Sequence, residues 1–97
     1  MYFVILATDR PGKAHIRSDF RKPHEDYLDS FGSQIVTAGA TWSDDGSEMT
    51  GSFLLVDMAD RAAVETFFNE DPFTIEGLYE PPEVRHWRMV YFNPPQD

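Results

Sequence analysis

The run Tyr2-Phe3-Val4-Ile5-Leu6-Ala7 limits the fold more tightly than any other stretch of this chain. Its β-branched and aromatic content reads as a strand. Alternation puts Tyr2, Val4 and Leu6 on one face and Phe3, Ile5 and Ala7 on the other, and both sets are apolar. A strand wet on one side would alternate with polar residues, so this one needs cover on both sides. A chain of 97 residues suits one compact domain, taken here as 1–97, with a single layer of helices to offer. A second subunit packed sheet to sheet is the simplest other cover, although a cavity between sheet and helices could take some of the area.

The remaining patterns follow in order. Asp9-Arg10-Pro11-Gly12 is a turn signal, and the polar stretch 14–19 reads as at most a loose turn of helix. A clearer helix begins near Arg21, with Pro23 in its first turn and Ser18 or Asp19 as its cap. Tyr27, Leu28 and Phe31 form its apolar stripe, His24 points to the same side, and Gly32 is a suitable stop. Residues 34–42 read as a second strand, where Gly39 suggests a bulge or a close backbone approach. The segment 43–47 is a hairpin connection and 48–58 a third strand. Asp60 caps a second helix with the stripe Ala63, Val64, Phe67 and Phe68. Asp71-Pro72 starts a short turn that ends at Gly77, and the last strand is expected over 84–92. Residues 93–97 form a proline-containing tail, mobile or docked on a partner. Strand, helix, strand, strand, helix, strand is the split βαβ order of an α+β, ferredoxin-like fold, with helices on one face of a four-stranded antiparallel sheet.

Charge and composition narrow the partners. Seventeen acids against eight bases give a net charge of -9, which argues against nucleic acid or an anionic membrane surface. The same charge also fits no more than a soluble protein with a solvated acidic face. The absence of cysteine excludes disulfides, thiolate catalysis and a cysteine zinc site. No apolar run approaches a membrane span or a signal peptide's core, so the expected location is the cytoplasm.

Few residues are placed to carry chemistry. A histidine is the side chain that most readily both takes and gives a proton in the cell, which makes His24 the best candidate acid or base. Asp71, on the far side of the fold in sequence, could hold its ring and fix its tautomer. The plainer alternatives are a polar histidine at a helix start and an aspartate that only caps its own turn. Arg21 lies one turn before His24 and could hold a substrate carboxylate or phenolate, or simply pair with a surface acid. Gly51 and Ser52 are the other candidate substrate-binding residues, while Trp42 and Tyr79 could line a pocket mouth or only pack. The three histidines show no metal-ligand spacing, and there is neither a phosphate-binding glycine loop nor a nucleophile elbow. No metal and no cofactor are expected.

In combination these elements resemble the YciI, or YCII-related, family. The resemblance runs through Tyr2-Phe3-Val4-Ile5 with Asp9, Arg21 followed three residues later by His24, Thr37-Ala38-Gly39, Thr50-Gly51-Ser52, and Asp71-Pro72-Phe73 with Gly77-Leu78-Tyr79. It covers nearly the whole chain in order. It implies a dimeric α+β barrel and a His–Asp active site, which falls on His24 and Asp71. It also implies kinship with an enzyme that eliminates HCl from a chlorinated hydroxyhydroquinone. Two positions depart from the family pattern: Lys22 separates Arg21 from Pro23, and Ala40 stands where a proline is usual. The expected function is cofactor-independent proton transfer by a homodimer, leading to isomerisation or elimination on a small cyclic or aromatic metabolite. The alternative is a non-catalytic small-molecule-binding or accessory protein.

Overall fold

The computed structural model describes residues 1–95. Four strands, β1 (Tyr2–Thr8), β2 (Ile35–Trp42), β3 (Met49–Asp57) and β4 (Glu83–Trp87), form an antiparallel sheet in the order β2-β3-β1-β4. The helices are α1 (His15–Asp19), α2 (Arg21–Asp29), α3 (Arg61–Glu70) and α4 (Pro72–Ile75). This is the expected ferredoxin-like βαββαβ arrangement, the protomer fold of dimeric α+β barrel proteins.

The alternation of β1 resolves as its sequence requires. Phe3, Ile5 and Ala7 are buried, and they join Leu54 and Val56 of β3 beneath the helices. Val64, Phe67 and Phe68 of α3 complete that core with Phe73 and Leu78. On the other face, Leu6 lies opposite Phe53, Val4 opposite Leu55, and Tyr2 opposite Trp87. Leu6 and Phe53 are exposed there, and no element of the described residues crosses this face.

Several local expectations are corrected. The stretch 14–19 is a true helical turn anchored by buried Ile16, and it takes Ser18 and Asp19 inside α1. Neither can then cap α2, whose N-cap is Phe20 without a side-chain bond. Ser18 Oγ instead donates to the His15 carbonyl at 3.0 Å. The register of β2 shifts between Ile35 and Thr37 and again between Thr41 and Trp42 rather than at Gly39, where an added Cβ would meet open space. The close approach is at Gly51, where a Cβ would lie 2.2 Å from the Ala7 carbonyl oxygen. The last strand stops at Trp87 because its partner β1 begins at Tyr2, so residues beyond it find no ladder to join. Val90 and Tyr91 are consequently 95% and 82% exposed. Of the tail expected over 93–97, residues 93–95 are exposed and irregular, and the rest lies outside the described residues.

Asp60 caps α3 by accepting from the Ala63 amide at 2.8 Å, as expected. No helix among the described residues is long and apolar enough to cross a membrane.

Candidate active site

The cavity owes its existence to small side chains on one edge of the sheet. Ala38 and Ala40 of β2 lie opposite Leu54 and Ser52 of β3, on the face turned toward the helices. A core strand would carry leucine or isoleucine at such positions. With methyl and hydroxymethyl groups there, a cavity of ≈ 620 Å³ opens between this half of the sheet and α1–α2. Arg17, Arg21, His24 and Leu28 line its helical wall, Ser52 its floor, and Trp42 its mouth.

Asp71 joins α3 to α4. Pro72 at the first helical position keeps the preceding residue extended, and Asp71 has φ -63° and ψ 130°. Its Oδ1 accepts from the Phe73 amide at 2.9 Å, which is the capping bond of α4. The same carboxylate meets His24 Nδ1 at 2.8 Å through Oδ1 and 3.0 Å through Oδ2. Capping and histidine-holding, posed as alternatives by the sequence, are thus both performed by one buried carboxylate. The His24 ring also stacks on Phe73, with centroids 3.8 Å apart and planes 8° from parallel. The backbone bond therefore fixes Asp71, and Asp71 with Phe73 fixes the imidazole in position and plane.

A carboxylate only accepts, so Nδ1 carries the hydrogen in this contact. Neutral His24 then presents its lone pair at Nε2, which makes no hydrogen bond within the described residues. That is the arrangement of an oriented general base. Lys22, inserted before Pro23, does not prevent it, and Ala40 in place of a proline lies against the cavity.

A second buried pair stands beside the first. Arg17 donates from Nε to Asp9 Oδ2 at 2.8 Å and from Nη2 to Asp9 Oδ1 at 2.9 Å. Nη2 also reaches the Gly51 carbonyl at 2.8 Å and Ser52 Oγ at 3.1 Å. Burial works to lower the Arg17 pKa, but the Asp9 hydrogen bond and charge outweigh it and raise the pKa above its ordinary value. Ser52 Oγ shares a 2.8 Å hydrogen bond with the Tyr79 hydroxyl. Burial pushes the Tyr79 phenol up to about 12, against a smaller lowering by Ser52.

The expected site residues are therefore distributed unevenly. His24 and Ser52 line the cavity, and buried Asp71 holds His24 without lining it. Arg21 lines its rim but is largely exposed, 3.5 Å from Glu25. Gly51 lies behind the cavity, with its carbonyl on Arg17. Tyr79 is buried rather than at the mouth. Arg17 and its tie to Asp9 went unread in the sequence, although a helical count begun at His15 brings Arg17, Arg21, His24 and Leu28 to one side. Among the described residues no cluster of three or more histidine or acidic side chains could hold a metal ion.

Fold and site together define a ferredoxin-like α+β protein with a histidine–aspartate pair in a cavity beneath its helices. The pattern of the YCII-related domain matches residues 1–88, and the chain belongs to that family. Its structure is similar to that of 5-chloro-2-hydroxyhydroquinone dehydrochlorinase (TftG) from Burkholderia phenoliruptrix AC1100, in complex with 2,5-dihydroxybenzoquinone. The TM-score is 0.84 and the identity 34%, over 93% of this chain and 96% of that one. The structure of At3g17210 from Arabidopsis thaliana is 14% identical with a TM-score of 0.48, over 95% of this chain and 97% of that one. No curated protein matches the chain.

Proposed function

We propose that this protein is a cofactor-independent acid–base catalyst of elimination or isomerisation on a small oxygenated ring. The observation that carries this reading is the His24–Asp71 pair, with Nδ1 held by a buried carboxylate and Nε2 left free. Nε2 takes a proton from a ring carbon or hydroxyl, and Asp71 stabilises the imidazolium that forms. In elimination a leaving group departs with its bonding electron pair as a double bond forms. In isomerisation His24 returns the proton at another atom. Neither route changes the oxidation level of substrate plus products. Arg21 at the rim draws an anionic substrate toward the mouth, Ser52 supplies a hydroxyl at the floor, and Gly51 supports the floor from behind. The dehydrochlorinase activity named for the similar structure makes 5-chloro-2-hydroxyhydroquinone the first compound to try.

The test measures chloride release with the wild type and His24→Gln. We expect at least about a 100-fold fall in turnover with the fold retained. Equal turnover in the variant would overturn the assignment. Tight binding of the compound without product would favour a binding or accessory role.

We propose further that the active form is a cytoplasmic homodimer joined through the open sheet face. The apolar row of Tyr2, Val4, Leu6, Phe53 and Leu55 supports this. Leu6→Glu should convert a dimer to a monomer in light scattering, and a wild type that is already monomeric would refute the reading.

A further inference from the structure

Arg17 carries five N–H donors, and three of them are committed to the protein. Nε and Nη2 bind Asp9, and Nη2 turns also toward Gly51 and Ser52. Nη1 donates to nothing among the described residues, yet it is not sealed from solvent. Arg17 lines the cavity, and its guanidinium carbon stands 5.6 Å from the centre of the Phe73 ring on which His24 stacks. The guanidinium and the imidazole thus share one aromatic neighbour and one cavity.

We infer that Nη1 of Arg17 is the specific anchor for an ionised ring oxygen of the ligand, and that the site selects planar rings bearing such an oxyanion. This rests on the reading above that the cavity takes a small oxygenated ring. Three observations favour Arg17 over Arg21 as the anchor. Its side chain is only 11% exposed, against 76% for Arg21, so its field is less screened. Asp9 grips one edge of the fork with two bonds, which fixes the direction of the other edge before any ligand arrives. A ring entering the cavity strips water from Nη1, and a ligand with no acceptor there leaves two donors unsatisfied. Selection consequently works by exclusion as well as by attraction. Asp9 offsets the guanidinium charge, so the preference depends on directed donors rather than on a net positive pocket.

The probe is 2,5-dihydroxybenzoquinone, with its dimethyl ether as a ring of the same skeleton that cannot ionise. Calorimetric titration should show that the wild type prefers the dihydroxy compound. In Arg17→Gln/Asp9→Asn, which keeps a hydrogen-bonding neutral pair, that preference should fall about 10- to 100-fold. A preference that survives in this folded variant overturns the assignment, and one that falls in Arg21→Gln instead moves the anchor to the rim. If the double variant does not fold, the Arg17 guanidinium nitrogen resonances of the wild type decide. They should shift and sharpen on saturation with the dihydroxy probe, and resonances that stay unmoved overturn the assignment. Failure of the wild type to bind either probe is a separate result, which overturns the ring-binding reading and this inference with it.

Discussion

Arg17 and His24 line the same cavity, each held by a carboxylate, and the two pairs are built to opposite rules. Arg17 is tied to the fold by four contacts, two to Asp9 and one each to Gly51 and Ser52. His24 is tied through a single nitrogen to a single carboxylate. The guanidinium keeps its proton at any working pH, so many fixed donors cost it no function. An imidazole in the role proposed for His24 must gain and lose a proton, and each further partner on Nε2 would favour one protonation state. The guanidinium, which always holds its charge, is therefore locked, and the imidazole is held from one side only.

That contrast makes the stability of the two pairs unequal. Arg17→Met strands Asp9 in a buried setting and should cost about 3–5 kcal/mol in urea unfolding. Restoring balance with Asp9→Leu in the same chain should recover most of it. His24→Gln leaves Asp71 its Phe73 amide, so its unfolding free energy should move by only about 1 kcal/mol. A larger loss for His24→Gln than for Arg17→Met would reverse the comparison.

Tyr79 sharpens it through pH. Its phenol is buried and titrates near 12 in the folded chain, against 10.0 ordinarily. Above pH 10 the unfolded chain releases this proton while the folded chain still binds it, so stability must fall as pH rises. The loss should reach about 2 kcal/mol by pH 12, read from denaturant midpoints across that range. Tyr79→Phe should flatten the slope, leaving a smaller part from half-buried Tyr27, which burial also raises to about 12.

The smallest effect isolates the capping share of Asp71. Asp60 caps α3 as Asp71 caps α4, but it has no histidine. Asp60→Ala should cost about 1 kcal/mol of stability and leave turnover unchanged. Asp71→Ala should cost more than this and lower turnover as well.

The sheet was legible because two-residue alternation on β1 admits few arrangements, and Phe3, Ile5 and Ala7 share one buried face as it requires. Asp71-Pro72 was legible as a cap because that chemistry is local. Its second partner was not settled by spacing, since 47 residues separate it from His24. Arg17 stayed hidden because α1 has five residues and one buried side chain, too little for a periodic signal. The end of β4 was misplaced because apolar content continues through Met89 to Phe92, while its length is set by where β1 begins. The cavity was the least legible feature. Alanine on a strand says nothing of empty space until the helix opposite has been placed.

The origin of that space has a consequence for how such a protein changes over generations. Ala38 and Ala40 stand at the sheet's edge, outside the cluster that holds β1, β3 and α3 together. Their size sets the room in the cavity while the histidine–aspartate pair hangs from other elements. Replacing one methyl by a larger group reshapes what enters without touching His24 or Asp71. Lineages descended from this scaffold are thereby free to exchange one small molecule for another through single substitutions on β2, with the His24–Asp71 pair as the inherited constant.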